Sequence, residues 1–230
     1  SSLRSSFNAT DVFADPRRRD LPPKSIVLVH TPATLFQYWS GEATEQLRPD
    51  IEIVPVPLLS YPGMQSQLTK RTPALHDLLM AYQQSGKFQV SELESLAAIR
   101  PLFVEMDTRI LTDLTRSLAP WGLLYQVLPG GATTTDVHIA HRAQEALYDR
   151  MYRSLGSSQL AYHETAQQLL WLHYMDALYY ASFGMFDASL IAIEHGLHLQ
   201  PLAHELRQLK AYLLHQPTDK PVDVTPFVPQ

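Results

Sequence analysis

Four short apolar runs in the first 130 residues of the chain have a strand-like pattern, and this pattern does not recur after the Pro-Gly-Gly turn at residues 129–131. The first run, Ile26–Val29, is rich in β-branched residues, which is typical of a strand covered on both faces. The other runs occupy residues 51–56, 101–105 and 122–128. Helical patterns separate the runs, and this alternation predicts an α/β fold with a small, mostly parallel four-stranded sheet and flanking helices.

Apolar spacing and prolines define the predicted helices of this half. Helical periodicity occurs over residues 34–47, 64–85, 91–99 and 107–118. Pro55 has no N–H to donate to a β-ladder, so the second strand is predicted to lie at a sheet edge or to end near Val54.

The second half of the chain is predicted to be all helix, in tetratricopeptide-like helical hairpins. The predicted helices cover residues 134–154, 159–183, 186–199 and 202–214, and Thr133 to Asp136 are predicted to cap the first of them. Four segments follow from this pattern: a linker or tail (1–24), an α/β domain (25–130), a helical tetratricopeptide-like domain (131–215) and a proline-rich tail (216–230). We expect the tail to be ordered only if it docks on the body.

Charge and composition exclude several classes of function. The 230 residues are 45% hydrophobic and 18% charged, so the chain is long enough to bury a large core. A formal net charge of -5 provides no basic face, and we predict that nucleic acid is not a partner. The absence of cysteine excludes disulfides, thiolate metal sites and a cysteine nucleophile. No apolar stretch approaches the roughly 20 residues that span a bilayer.

Polar residues follow the first and third predicted strands, at ends that a parallel sheet places side by side. His30, Thr31 and Thr34 follow the first strand, and Glu105 and Asp107 end the third. Because ligands of open α/β sheets bind outside the carboxyl ends of the strands, these five residues are a possible ligand rim. Two interpretations stay open: an acid-base or metal site, or the polar residues that emerge into water at any strand end.

The sequence carries no signature of a cofactor, a metal or a catalytic residue. The loop after the first strand lacks the glycines of a dinucleotide or phosphate site, and no GxSxG elbow occurs. We therefore predict no cofactor, no metal and no catalytic residue. The histidine groups lack the spacing of a zinc motif: His138 with His141, and His195 with His198 and His204.

An aromatic-rich segment over residues 171–181 carries more rings than one helix face can bury. We predict that core packing takes most of these rings and that the remainder form an exposed partner surface. The candidates for this surface are Trp171, Tyr174, Tyr179 and Tyr180.

The segment ALYYASFGMFDASLIAIEHGLHLQP, residues 177–201, resembles one tetratricopeptide repeat. The residues that match its small, aromatic and proline positions are Ala177, Tyr180, Gly184, Phe186, Ala188 and Pro201. The resemblance implies a pair of packed helices with an exposed groove.

Two segments of the α/β half resemble the soluble region after the membrane helices in bacterial polytopic proteins related to protein O-mannosyltransferases. They are LRPDIEIVPVPLLSYPGM (47–64) and RPLFVEMDTRILTDLTRSLAPWGLLYQVLP (100–129). The resemblance covers about residues 25–200. It implies a glycosyltransferase-C-like protein whose catalytic acidic residue lies in a membrane region outside this sequence, and a location on the extracytoplasmic (periplasmic) side of a bacterial membrane.

The leading interpretation is a noncatalytic soluble binding or accessory module of a membrane-embedded glycosyltransferase-like protein. We expect it to engage a protein or glycan partner and to be tied to the membrane through an N-terminal transmembrane region. Two alternatives stay open: an α/β enzyme that uses His30, Glu105 and Asp107 at the strand ends, or a cytoplasmic tetratricopeptide-like scaffold.

Overall fold

A computed structural model describes residues 12–13, 20–43, 48–107, 114–160, 163–218 and 220–228 of the chain. Within these ranges the chain forms two units. The sheet unit comprises residues 12–106 and 117–147, and the helical unit comprises residues 107, 114–116 and 148–228. The boundary falls inside one helix, between residues 147 and 148, whereas the sequence analysis places it at residue 130.

The sheet unit contains a five-stranded mixed sheet in the order β2-β1-β3-β5-β4. Its strands are β1 (Ile26–Val29), β2 (Glu52–Pro55), β3 (Leu102–Val104), β4 (Leu118–Trp121) and β5 (Leu124–Val127). Strand β1 pairs in parallel with β2 and β3, whereas β5 pairs antiparallel with β3 and β4. The predicted α/β character is confirmed. The prediction of four mostly parallel strands is wrong, because β4 and β5 form an antiparallel hairpin.

Strand β4 is the element that the sequence pattern missed. Its first residue, Leu118, continues the apolar spacing of the helix predicted over residues 107–118, and Pro120 argues against a strand. Pro120 is tolerated because β4 is an edge strand, and β2, which ends at Pro55, forms the opposite edge as predicted. Residues 108–113 of the predicted helix lie outside the described residues.

One core cluster of the sheet unit covers a face of the central strands. Its buried members are Leu21, Val27, Val29, Leu35, Tyr38, Phe103 and Leu124. Phe13 is also buried, so the segment predicted to be a linker or tail (1–24) contributes two residues to the core, Phe13 and Leu21. The physical reason is that transfer of an aromatic or leucine side chain from water to the core lowers the free energy of the folded chain, even when the neighbouring residues in sequence are polar.

Within the described residues, four helices accompany the sheet: α1 (Pro32–Ala43), α2 (Pro62–Arg71), α3 (His76–Ser85) and α4 (Val90–Ile99). The helix predicted over residues 64–85 is divided at Pro73, which begins a short 3-10 turn, Pro73–Leu75. Proline cannot donate the backbone hydrogen bond that a continuous helix needs at this point.

Helices α5 (Thr134–Leu160), α6 (His163–Phe183), α7 (Phe186–Leu199) and α8 (His204–Leu213) occupy the rest of the chain. The described residues after 130 contain no strand, which confirms the prediction of an all-helical second half. Helix α5 opens with the predicted cap, because the Thr133 hydroxyl accepts from the Asp136 backbone N–H while Asp136 accepts from Thr133. Gly156, at φ 63°, kinks α5 where the sequence predicts a break.

Helices α6 and α7 form a tight antiparallel hairpin. Gly184 makes the turn at φ 97°, a left-handed conformation that favours glycine. The Ser189 hydroxyl donates to the Ala177 carbonyl at 2.7 Å across the hairpin. Gly196 lets α7 approach its neighbours closely, since a Cβ there would lie 2.4 Å from a methyl group of Leu206 in α8.

The described part of the proline-rich tail docks on the helical unit. The Val222 backbone N–H donates to the Ala181 carbonyl at 3.0 Å, and Val222 and Val224 are buried. The Phe227 ring packs 5.0 Å from that of Tyr212 on α8. Apolar side chains and one backbone hydrogen bond therefore fix the position of a segment whose order could not be predicted from composition alone.

Candidate functional site

The Glu105 carboxylate is the centre of the predicted rim in the sheet unit. Oε2 accepts hydrogen bonds from the backbone N–H groups of His30 and Thr31, each at 2.8 Å. Oε1 accepts from the hydroxyls of Thr31 at 2.8 Å and Thr34 at 2.6 Å. These contacts follow from the pairing of β1 with β3, which places the residues after the two strands side by side.

Glu105 acts as an anchor for the loop that leads into α1. An ionised carboxylate has about four lone-pair positions, and four donors of this loop occupy them. The side chain is only 5% exposed, and the positive end of the α1 dipole lies close by because Thr31 precedes the helix and Thr34 belongs to its first turn. A carboxylate bound in this way has no acceptor position left for a substrate proton or a metal.

His30 and Asp107, the other two rim residues with ionisable side chains, belong to different units of the chain. His30 is buried, and its ring contacts the edge of Phe88 with the ring centroids 6.3 Å apart. Asp107 is half-buried and belongs to the helical unit. The structure therefore brings together His30, Thr31, Thr34 and Glu105 as a fixed loop, and a ligand at this rim stays a prediction.

A cluster of buried and half-buried polar rings, which the sequence patterns did not predict, lies in the helical unit. The Tyr148 hydroxyl donates to Asp176 at 2.6 Å, and the Tyr152 hydroxyl lies 2.6 Å from Nε2 of His173. The rings of His173 and His195 are 5.1 Å apart. The available signal was weak: Tyr148 and Tyr152 are four residues apart on one helix, as expected of a shared face.

Burial sets the protonation states of this cluster. It lowers the pKa of His173 to about 3, with a smaller contribution from His195, and it also lowers the pKa of His195. Burial and the Asp176 charge raise the pKa of Tyr148 well above its usual value. At neutral pH the cluster therefore holds neutral imidazole and neutral phenol groups, which suits a packed core.

Metal binding has no geometric support in the part of the chain that the structure describes. There, no three His, Cys, Asp or Glu side chains are placed to hold a metal ion together.

The described helices include none with the length and hydropathy required to cross a membrane.

The aromatic segment on α6 divides into buried and accessible rings. Tyr179 and Tyr180 are buried in the helical unit, so their assignment to a partner surface is wrong. They pack in the interior because α6 is covered on more than one side, and their rings lie 5.3 Å apart. Trp171 is 38% exposed, and it lines a groove with Tyr174.

This groove has a volume of about 530 Å³, within the usual range of ligand sites. Helix α6 contributes one face, helix α8 and the preceding Ala203 contribute a second, and the docked tail forms a third. The lining residues are Gln167, Leu170, Trp171, Tyr174, Ala203, Glu205, Leu206, Gln208, Pro226, Phe227 and Val228.

The tail wall of the groove is held by Tyr174. Its hydroxyl donates to the Phe227 carbonyl at 2.6 Å. Burial and the nearby Glu205 carboxylate raise the pKa of Tyr174 to about 12, so the phenol keeps its proton at neutral pH. This hydrogen bond holds the tail against α6 and so forms one wall of the groove.

Comparison of the chain with protein family models, with curated proteins and with solved structures gave no match. The fold and the groove carry the functional argument by themselves. The sheet unit holds a rim in which Glu105 is hydrogen-bonded to the loop before α1, and the helical unit holds an open groove.

Proposed function

We propose that this chain is a noncatalytic binding module whose helical unit takes a protein or glycan partner in the groove between α6, α8 and the docked tail. The observation that carries the proposal is the accessible Trp171 in a groove of about 530 Å³. Tryptophan supplies a large, stiff apolar surface at low entropic cost and is frequent at binding sites.

The chemistry of the rim supports a noncatalytic role. All four acceptor positions of Glu105 are used by His30, Thr31 and Thr34, so this carboxylate is expected to hold the loop in place. An acid-base enzyme would need a carboxyl group within reach of a substrate and with a free acceptor position.

The proposed setting follows from the two resemblances. We propose an accessory module of a membrane-embedded glycosyltransferase-like protein, on the periplasmic side of a bacterial membrane. Sequencing the coding region upstream of Ser1 tests this setting, since hydrophobic spans are expected there.

The α6-α7 hairpin supports a tetratricopeptide-like interpretation of the helical unit, because Gly184 makes its turn and both Ala177 and Ala188 are buried where the helices pack.

The binding role is tested by probing the folded chain against arrays of oligosaccharides and of peptides. Trp171→Ala is expected to weaken any specific binding at least tenfold, because truncation of a central aromatic anchor typically costs that much. Trp39→Ala is the matched control, since Trp39 is 39% exposed but belongs to the sheet unit.

Two results would contradict the proposal. One is that no tested ligand is found whose binding is lost in Trp171→Ala and retained in Trp39→Ala. The other is substrate turnover by the isolated chain that Glu105→Gln abolishes while the variant stays folded, which would favour the α/β enzyme.

A further inference from the structure

We propose that the groove binds an uncharged oligosaccharide, with one sugar ring stacked on Trp171 and its hydroxyl groups bonded to Gln167, Glu205 and Gln208. This inference rests on the proposed function and names the ligand class of the same groove. It follows from the charges, the polar groups and the apolar surface of the lining.

The charges of the lining disfavour an anionic ligand. Among the described residues that line the groove, Glu205 is the one acidic side chain, and no lysine, arginine or histidine joins it. A sulfated or uronic acid chain would bring its own negative charges next to this carboxylate without a cation to pair them. Neutral ligands meet no such penalty.

The polar groups of the lining suit hydroxyl groups. Gln167 and Gln208 each offer a carbonyl acceptor and an NH₂ donor, and Glu205 offers acceptors only. A sugar hydroxyl both donates and accepts, so amide and carboxylate groups satisfy it from either side. Gln167 has one weak contact of 3.4 Å with Gln200, which a ligand hydroxyl can replace.

The apolar part of the lining suits the face of a sugar ring. Trp171 and Tyr174 lie about one turn apart on α6, with their ring centroids 6.3 Å apart and their planes tilted by 39°, so each ring presents its own aromatic face. Leu170 and Leu206 complete an apolar floor. A pyranose ring carries C–H groups on its face and hydroxyls at its edge, which matches an apolar floor with polar groups around it.

An extended peptide is less well matched to this groove. Each peptide residue brings one N–H and one C=O group that must find partners when buried. The backbone groups of α6 that face the groove are paired inside the helix, so a peptide lying along α6 finds only two side-chain amides, one carboxylate and the first-turn N–H groups of α8. A pyranose presents its polar groups at the edge, where these three side chains lie.

The test measures binding of three probes to the purified chain by calorimetry: a neutral chitotetraose or mannotetraose, an oligogalacturonate of equal length, and a pool of peptides. We expect a neutral probe to bind at least tenfold more tightly than the oligogalacturonate. Glu205→Gln is expected to reduce that preference severalfold, because it removes the negative charge and keeps the side-chain shape.

Two groove variants and one control locate the site. Trp171→Ala and Gln208→Ala are each expected to weaken sugar binding, at least tenfold and severalfold respectively. Gln208 is exposed, so its substitution leaves the fold intact even if Trp171→Ala does not. Ile191→Ala is expected to change nothing, because Ile191 is 39% exposed on α7 and does not line the groove.

The possible failures are distinguishable. Peptide binding that depends on Trp171, without sugar binding, overturns this inference and leaves the proposed function standing. Sugar binding that neither Trp171→Ala nor Gln208→Ala weakens overturns the location. The absence of binding to every probe, together with negative array screens, overturns both the inference and the proposed function.

Discussion

Mild acid is expected to destabilise the helical unit through His173. The ring of this residue is completely buried, and its pKa is lowered to about 3 by burial and by the nearby His195. In the unfolded chain a histidine has a pKa near 6.5. Because the folded state favours the neutral ring, this contribution to stability is complete above pH 6.5 and is lost as the pH falls towards 3.

The size of the effect follows from the shift. Each pKa unit corresponds to about 1.4 kcal/mol, so lowering the pKa of His173 from 6.5 to about 3 corresponds to about 5 kcal/mol once the pH falls below 3. At pH 5 the unfolded chain already binds the proton and the folded chain does not, and the loss is about 2 kcal/mol. In the described residues Nδ1 of His173 has no hydrogen-bond partner, so a proton there would be buried unpaired.

The measurement compares urea unfolding of the wild type and His173→Gln between pH 7.5 and 5. Glutamine does not titrate, and it keeps a polar group near the Tyr152 hydroxyl. Both proteins carry Trp39→Phe and Trp121→Phe, so fluorescence reports Trp171 and hence the helical unit alone. His204→Gln, at an exposed position on α8, is the control and is expected to follow the wild type.

The expected result concerns the pH dependence of the free energy of unfolding. From pH 7.5 to 5 the wild type should lose about 2 kcal/mol more than His173→Gln. Equal losses in the two proteins would refute the reasoning, because they would show that His173 binds its proton equally well in the folded and unfolded states.

Two further predictions each concern one residue, the first in the sheet unit and the second in the helical unit. Glu105→Gln is expected to destabilise the sheet unit by about 2 kcal/mol, because it replaces charged acceptors of buried donors by a neutral amide. Asp77→Asn removes an exposed carboxylate from α3 and should cost less than about 1 kcal/mol. Both costs are measured by urea unfolding in a Trp171→Phe background, where fluorescence reports Trp39 and Trp121 of the sheet unit, and an equal cost at both positions would contradict the anchoring role of Glu105. Gly184→Ala is expected to cost about 1–3 kcal/mol, because the residue adopts φ 97° and its new Cβ would lie 3.2 Å from the Pro221 backbone nitrogen. Gly63→Ala, in a helical conformation with open space around it, should be neutral or stabilise by up to about 1 kcal/mol; equal effects at both glycines would argue against the backbone explanation.

Local patterns in the sequence were enough to predict the alternation of strands and helices, the all-helical second half and several boundaries. The β-branched run of β1, the edge position of Pro55 and the break at Gly156 depend on conformational preferences of a few adjacent residues. Such preferences depend on residues that are close together in the sequence.

The groove was predicted only in part, through Trp171 and Tyr174.

Tertiary structure alone decided which residues became anchors and which became accessible. Glu105 binds donors 71 to 75 residues away, and its role depends on the pairing of β1 with β3. Tyr179 and Tyr180 lie in the same aromatic-rich segment as Trp171, but packing within the helical unit buries them. The reversal of β4 and β5 and the docking of the tail are also long-range outcomes. These features could not be predicted because hydrogen bonds and burial depend on partners that distant parts of the chain supply, whereas helix and strand tendencies depend on near neighbours.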